Sequence, residues 1–186
     1  MKRFLCCAAL VALIGAPALA GSTTGSGGGE IGFGFGQSDV GSDSTGVDTA
    51  QFLGVRGGYN LNKQFEVEGQ FASSSENGEI AGTDVDTTMR MLMVNGVYNF
   101  YPTKKEIVPY VMAGIGRADA EVSASGSSVS DNSVAYQVGG GTRIFFGKTQ
   151  RAAFRMDLSL LRDDTFNDST TTKTLTAGLT FKLGNR

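Results

Sequence analysis

The sequence predicts an all-β fold: an eight-stranded antiparallel up-and-down transmembrane β-barrel. Three observations predict it. A two-residue rhythm, apolar on one parity and small or charged on the other, returns eight times in stretches of roughly ten residues. The links between these stretches alternate between short and long. Beyond residue 20 no stretch is apolar enough for a helical span and no long 3.6-residue period appears, so strands must do any crossing.

Met1 to Ala20 reads as a secretory signal peptide: Lys2 and Arg3 give the positive start, Leu5 to Ala16 the apolar core, and Ala18-Leu19-Ala20 a small-x-small cleavage site. A retained membrane helix fits less well, because the run falls short of the roughly 20 residues a span needs and Pro17 interrupts it. Cys6 and Cys7, the only cysteines, precede most of the apolar core, whereas a lipidated cysteine would follow it. Both are expected to leave with the signal, which removes disulfides and cysteine-held metals from consideration. The expected organisation is a signal peptide over 1–20, a flexible lead-in over 21–29 (GSTTGSGGG) and one barrel domain over 30–186.

The first strand is expected at about Glu30 to Gln37, with Ile31, Phe33 and Phe35 outward against Gly32, Gly34 and Gly36. The second, Gln51 to Asn60, sends Leu53, Val55 and Tyr59 out and Arg56 in. A tight turn through Asn60-Leu61-Asn62-Lys63 leads to the clearest segment, QFEVEGQFA (Gln64 to Ala72), where Phe65, Val67 and Phe71 oppose Glu66, Glu68 and Gln70. The fourth, Thr87 to Phe100, alternates Leu92, Val94 and Tyr98 with Met91, Met93, Asn95 and Asn99. The fifth, Val108 to Ala120, places Val111, Ala113 and Ile115 against Tyr110, Gly114 and Gly116, and the sixth, Val134 to Phe146, places Tyr136, Val138 and Ile144 against Gln137, Gly139, Gly141 and Arg143. The seventh, Ala152 to Arg162, alternates Phe154, Met156, Leu158 and Leu160 with Arg155, Asp157 and Ser159. The last, Lys173 to Leu183, alternates Leu175, Ala177, Leu179 and Phe181 with Thr174, Thr176, Thr180 and Lys182.

Links near 61, 103 and 149 are short; those near 38–50, 75–86, 121–133 and 163–172 read as long loops rich in Ser, Thr, Gly, Asp and Asn. In a membrane barrel short turns belong to the periplasm and long loops to the exterior, which places both termini in the periplasm. An inverted, soluble cup would expose rows of glycine such as 32, 34 and 36 where water-facing strands want Thr, Lys and Glu. The end at Arg186 is read as leaving no appended peptidoglycan-binding module.

Strand parity puts Arg56, Glu66, Glu68, Arg143, Arg155, Asp157 and Lys182 on the inward face. Side chains just fill an eight-stranded barrel, so these charges are expected to form a paired network; separate charges solvated by trapped water are the alternative. Glu66 and Glu68 share a face and could do acid/base work, but an ionic core is the favoured reading. Asp39, Asp43, Asp48, Glu76, Glu79, Asp84, Asp86, Asp131, Asp163, Asp164 and Asp168 are assigned to the loops, and Lys63, Lys104, Lys105, Lys148 and Arg151 to the short turns. The acids do not follow the spacing of an EF-hand, so no metal site is assigned. Arg90, Arg117, Arg162 and Lys173 share parity with outward apolar residues such as Leu92, Ile115, Leu160 and Leu175, at the loop ends of their strands. They are expected to form a rim that meets lipopolysaccharide phosphates, with snorkelling of the long side chains to plain water as the alternative.

The glycine-aromatic opening GFGFG, the FEVEGQF segment, PYVMAGIG at Pro109 to Gly116, AYQVGGGTR at Ala135 to Arg143 and the closing LTAGLTFKL together resemble the small eight-stranded outer-membrane barrels of the opacity-protein and OmpA membrane-domain type. The resemblance covers essentially the whole chain after the leader. It implies residence in the outer membrane of a Gram-negative bacterium, a monomer, and contact with outer-membrane lipid, lipopolysaccharide and the assembly machinery. Such barrels usually end on an aromatic residue; here Phe181 is followed by Lys-Leu-Gly-Asn-Arg. The barrel enzymes of that membrane, namely the lipid A palmitoyltransferase, the lipid A deacylase and the omptin proteases, rely on a histidine, and this chain has none. Without its leader the chain carries a net charge of −4, a poor match for nucleic acid. The expected role is therefore non-enzymatic and cofactor-free: acidic loops presented at the surface for envelope integrity or surface contacts. A narrow gated channel for ions or very small solutes is the alternative.

Overall fold

A computed structural model describes residues 28–40, 50–80, 83–100, 106–124, 127–147, 150–163 and 170–183. The signal segment 1–20, and the acids and lysines at 43, 48, 104, 105, 148, 164 and 168, lie outside the described residues. Eight strands run β1 (Gly29–Val40), β2 (Ala50–Asn60), β3 (Phe65–Ile80), β4 (Thr83–Asn99), β5 (Ile107–Ala124), β6 (Ser127–Phe146), β7 (Ala152–Asp163) and β8 (Thr170–Leu183). Each pairs antiparallel with the next, and β8 closes on β1 from Gly29 opposite Leu183 to Val40 opposite Thr172. Gly29, read from sequence as the last residue of the lead-in, is the first residue of β1 because Leu183 and Tyr59 already pair with it.

Burial is inside out relative to a water-soluble protein. Leu53 and Leu158 on the outer face are 69% and 62% exposed, while Arg143 and Arg155 in the lumen are 2% and 1% exposed. This distribution suits a barrel whose solvent is lipid, and it removes the soluble cup, which needs its apolar parity inside. At the short-turn end an aromatic cluster marks the edge of the apolar band: the rings of Phe65 and Tyr98 meet edge-on at 5.1 Å, and those of Tyr98 and Phe100 at 5.0 Å.

The short turns have local chemical causes. Between β2 and β3, Asn62 Oδ1 accepts the backbone N–H groups of Gln64 and Phe65, each at 2.8 Å, a side-chain mimic of a backbone turn. After β6, Gly147 has φ of 80°, a conformation that glycine adopts without steric cost.

Two of the four long links are not loops. β3 runs to Ile80 and β4 starts at Thr83, with Ile80 opposite Thr83; β5 runs to Ala124 and β6 starts at Ser127, with Ala124 opposite Ser127. The expected loops at 75–86 and 121–133 are hairpins closed by links of two residues. The sequence signal fails there for a physical reason: above the lipid both faces of a strand meet water, so the apolar alternation stops although the hydrogen-bonded ladder continues. A tilted span needs roughly 9–11 residues, whereas β5 has 18 and β6 has 20. The ends of β3, β4, β5 and β6 therefore project as a four-stranded sheet. Glu76, Glu79, Asp84, Asp86 and Asp131 lie in these strands rather than in loops, and Asp39 lies in β1.

Candidate functional site

The lumen is the most elaborate polar arrangement in the described residues, and its order can be followed along the inward positions of β7: Ala153, Arg155, Asp157, Ser159, Leu161, Asp163. At the short-turn end Ala153 packs with Val108 and Phe145, and Lys182 Nζ lies 4.0 Å from the centre of the Phe145 ring. Next comes the charged layer. Arg155 grips Glu68 with both terminal nitrogens, the longer contact being 3.3 Å, and its Nε is 2.9 Å from Asp157 Oδ1. Arg56 reaches the other oxygen of Asp157 at 2.9 Å. Arg143 sits 2.8 Å from Glu66, 3.7 Å from Glu30 and 3.9 Å from Glu68, and donates to Asn99 Oδ1 at 3.1 Å. The Glu66 contact is an ion pair without hydrogen-bond alignment.

Tyr110 sits at the centre of this layer. Its hydroxyl accepts from Arg155 Nε at 2.6 Å and donates to Asp157 Oδ1, while the guanidinium groups of Arg155 and Arg143 lie 4.6 and 4.9 Å from its ring centre. Glycine makes the room: a Cβ on Gly141 would strike the Tyr110 hydroxyl, and one on Gly58 would strike the Glu66 carboxylate. Above the charges, Gln137 donates to Ser159 at 3.0 Å and Asn95 to Gln70 at 3.3 Å. At the hairpin end Met93, Ala118 and Ala135 pack together with Met91 and Leu161, and on the opposite wall the Phe52 ring lies over Gly36.

Of the inward residues singled out from sequence, the structure brings Arg56, Glu66, Glu68, Arg143, Arg155 and Asp157 into one connected group. It places Lys182 beside it, at the apolar floor. Glu66 is held by Arg143 and Glu68 by Arg155, so the two carboxylates do not face each other across an open space as a catalytic acid and base would. Sequence reasoning missed Glu30 and the central role of Tyr110. Glu30 shares parity with Gly32, Gly34 and Gly36, a signal that was available, whereas the reach of Tyr110 depends on the stagger between strands. Asp163, assigned to a loop, is instead the last residue of β7, buried at 4% on the inward parity. Among the described residues no group of three Asp, Glu, His or Cys could hold a metal ion.

A family model for the outer membrane protein beta-barrel domain matches residues 6–182. The chain belongs to this family. Among solved structures the barrel resembles neisserial surface protein A (TM-score 0.69, 14% identity, covering 83% of this chain and 97% of that one). It also resembles Yersinia pestis Ail, crystallised with the heparin analogue sucrose octasulfate (0.61, 21%, 85% and 99%). A third likeness is to the N-terminal barrel domain of Pseudomonas aeruginosa OprF (0.55, 17%, 84% and 100%). At these identities the likeness is one of fold. No curated protein matches this sequence.

On the lipid side of this outer-membrane barrel, Arg90, Arg117, Arg162 and Lys173 are all exposed. They divide into two pairs. On β4 and β5, Arg90 lies opposite Asp119 and Arg117 opposite Leu92, and Arg117 Nε is 2.8 Å from Asp119 Oδ1. On β7 and β8, Arg162 lies opposite Thr171 and Lys173 opposite Leu160. β6, with Val134 opposite Arg117 and Tyr136 opposite Arg162, separates the pairs.

Proposed function

We propose that this protein is a non-conducting, non-enzymatic outer-membrane anchor. It holds an acid-rich sheet at the cell surface, where it contributes to envelope integrity or surface contacts. The observation that carries the reading is the filling of the lumen by layers: an apolar floor around Phe145, the Arg–Glu–Asp–Tyr cluster, and the Met93–Leu161 cap. A pore needs a polar, hydrated path, and oppositely charged side chains that bind one another across an eight-stranded barrel occupy that path. The placement of both termini in the periplasm and of the hairpins outside rests on the contrast between short turns and projecting strands. The projecting segments of β3–β6 carry Glu76, Glu79, Asp84, Asp86, Asp119, Glu121 and Asp131, which gives the exposed sheet its acidic character.

The alternative of a narrow gated channel separates cleanly by solute flux. Liposomes loaded with an impermeant sugar and carrying the folded barrel are expected to swell in isotonic urea or glycine no faster than empty liposomes. Swelling that rises in proportion to the amount of barrel identifies a pore and overturns the anchor reading.

A further inference from the structure

Where the alternation imposed by lipid ends, an alternation of the opposite sense begins. Along β5 the run Ala118-Asp119-Ala120-Glu121-Val122-Ser123-Ala124 has its small and apolar residues on the inward parity and its acids on the outward one. β4 does the same, with Met89, Thr87 and Val85 against Thr88, Asp86 and Asp84. A strand with one face in water and the other packed is written this way. The registers align these positions in rows: Met91 lies opposite Ala118, Met89 opposite Ala120, Thr87 opposite Val122 and Val85 opposite Ala124, while Val122 also lies opposite Val129 of β6. The result is an apolar stripe two strands wide that rises from the cluster of Met93, Ala118 and Ala135. Ala118 and Ala120 at its foot are buried, whereas Val129 is 62% exposed. In the same rows each flanking strand carries an acid, Glu76 opposite Thr87 on β3 and Asp131 opposite Ala120 on β6. Segments 74–80, 83–89, 118–124 and 127–134 hold seven acids and no lysine or arginine. Among the described residues the facing wall ends lower: β2 makes its last pairing with β3 at Phe52 opposite Ser74, and β7 its last with β6 at Asp163 opposite Ala135.

We propose that this stripe docks a cationic amphipathic helix supplied by a partner outside the cell. Its apolar side lies on the positions of Val85, Val122 and Val129, and its basic borders meet Glu76 and Asp131. Strands lie about 4.8 Å apart, so β4 and β5 offer a stripe about 10 Å wide between the two acidic strands. A helix with its side chains is about 10 to 12 Å across. From Met91 to Val85 the stripe runs about 20 Å, the length of about four helical turns. Charge decides which helix fits. Apolar anchors alone would accept any amphipathic helix, but an acidic one meets seven carboxylates with no cation among them. A second copy of the same sheet meets the same repulsion. Basic side chains along the borders of the apolar side are instead attracted, which steers encounter and fixes the register of the docked helix. Anchors spaced at i, i+3 or i+4 and i+7 supply the affinity, as in other helix-in-groove contacts.

The docking surface gives the anchor its surface contact and rests on the outward placement of the hairpins, which a label tests independently. Ser128 is exposed on the projecting part of β6, and a Ser128→Cys variant should react with a membrane-impermeant maleimide on intact cells. Reaction only after lysis overturns the outward placement, and with it an extracellular partner, even where the stripe binds a helix in vitro. Docking itself is measured by fluorescence anisotropy on the folded barrel in phosphatidylcholine nanodiscs, with the signal from empty nanodiscs subtracted. The probes are three labelled peptides of about four helical turns: leucine along one side with lysine on the other, the same pattern with glutamate for lysine, and a scramble of the first. The first peptide should bind saturably, weaken as salt is raised, and exceed the other two by about tenfold or more. Val122→Ser/Val129→Ser should keep its folded mobility on an unheated gel and bind that peptide about tenfold more weakly. Glu76→Gln/Asp131→Asn should weaken binding more than Asp86→Asn/Glu121→Gln, which removes as much charge from the outward parity. Equal binding of the scrambled peptide, or equal losses from the two acid pairs, would reduce the contact to diffuse charge attraction and overturn the proposal. Undiminished binding by Val122→Ser/Val129→Ser, or no saturable binding of the first peptide, overturns it too. Dimers of the parent in neutral detergent that Val122→Ser/Val129→Ser abolishes would assign the face to a second copy instead.

Discussion

Arg155→Met should cost the barrel about 3 to 5 kcal/mol of stability, the usual penalty for removing one partner of a buried ion pair. Arg155 is 1% exposed and touches Glu68, Asp157 and Tyr110, and methionine replaces its length without its charge. Glu68 is then left with Arg143 at 3.9 Å, and Asp157 with Arg56 at 2.9 Å. Four acids, namely Glu30, Glu66, Glu68 and Asp157, would share two arginines in the same layer. The loss should shrink when Glu68→Leu is added, because the uncompensated charge disappears with it. A double-mutant cycle by urea titration of the folded barrel in lipid measures this coupling. Additive losses from the two changes would mean that Arg155 and Glu68 do not interact as the geometry indicates.

Gly178→Val should be the most damaging single change at the seam that closes the barrel. Gly178 lies opposite Gly34 of β1, and a Cβ on it would meet the carbonyl oxygen of Phe33 and come within 2.8 Å of the Gly34 Cα. These are main-chain atoms of the neighbouring strand and cannot swing aside as a side-chain tip does. Relief requires β1 and β8 to separate locally, with loss of ladder hydrogen bonds. Overpacking of a tight site costs about 1 to 3 kcal/mol, and a valine against the backbone belongs at the upper end or beyond. Gly57 offers the contrast, since a Cβ there meets nothing within 4 Å. Gly57→Val is expected to leave stability nearly unchanged. The fraction of chains that keep folded mobility on an unheated gel compares the two, and similar behaviour would contradict the seam argument.

The fold was legible because lipid enforces a strict rule along each strand within the band. Every inward assignment among Arg56, Glu66, Glu68, Arg143, Arg155 and Asp157 follows from counting by twos from an apolar neighbour. Partner choice was not legible. Arg155 could have met Asp157, two residues away on its own strand, or Glu68 on β3, across the barrel, and it meets both, because tilt and stagger bring β3 and β7 to one height. Parity carries no information about stagger. Tyr110 could be read as inward, but its position between two guanidinium groups could not. The projecting hairpins were missed for a different reason. Strand identity was inferred from alternating hydrophobicity, which lipid imposes, whereas the β5–β6 ladder above the band is maintained by backbone pairing among serines, alanines and acids. Asp163 was lost in the same way, at the place where alternation fades but the strand has not ended.

Single-channel recording of the purified, folded barrel in a planar bilayer tests the central claim most directly. The filled lumen predicts no reproducible conductance steps from the parent in symmetric salt, and steps or leak appearing when Glu68→Ala/Arg155→Ala removes the cross-lumen bond. Stable, uniform openings from the parent protein, unchanged by that double substitution, would contradict the plug and with it the reading of this barrel as an anchor.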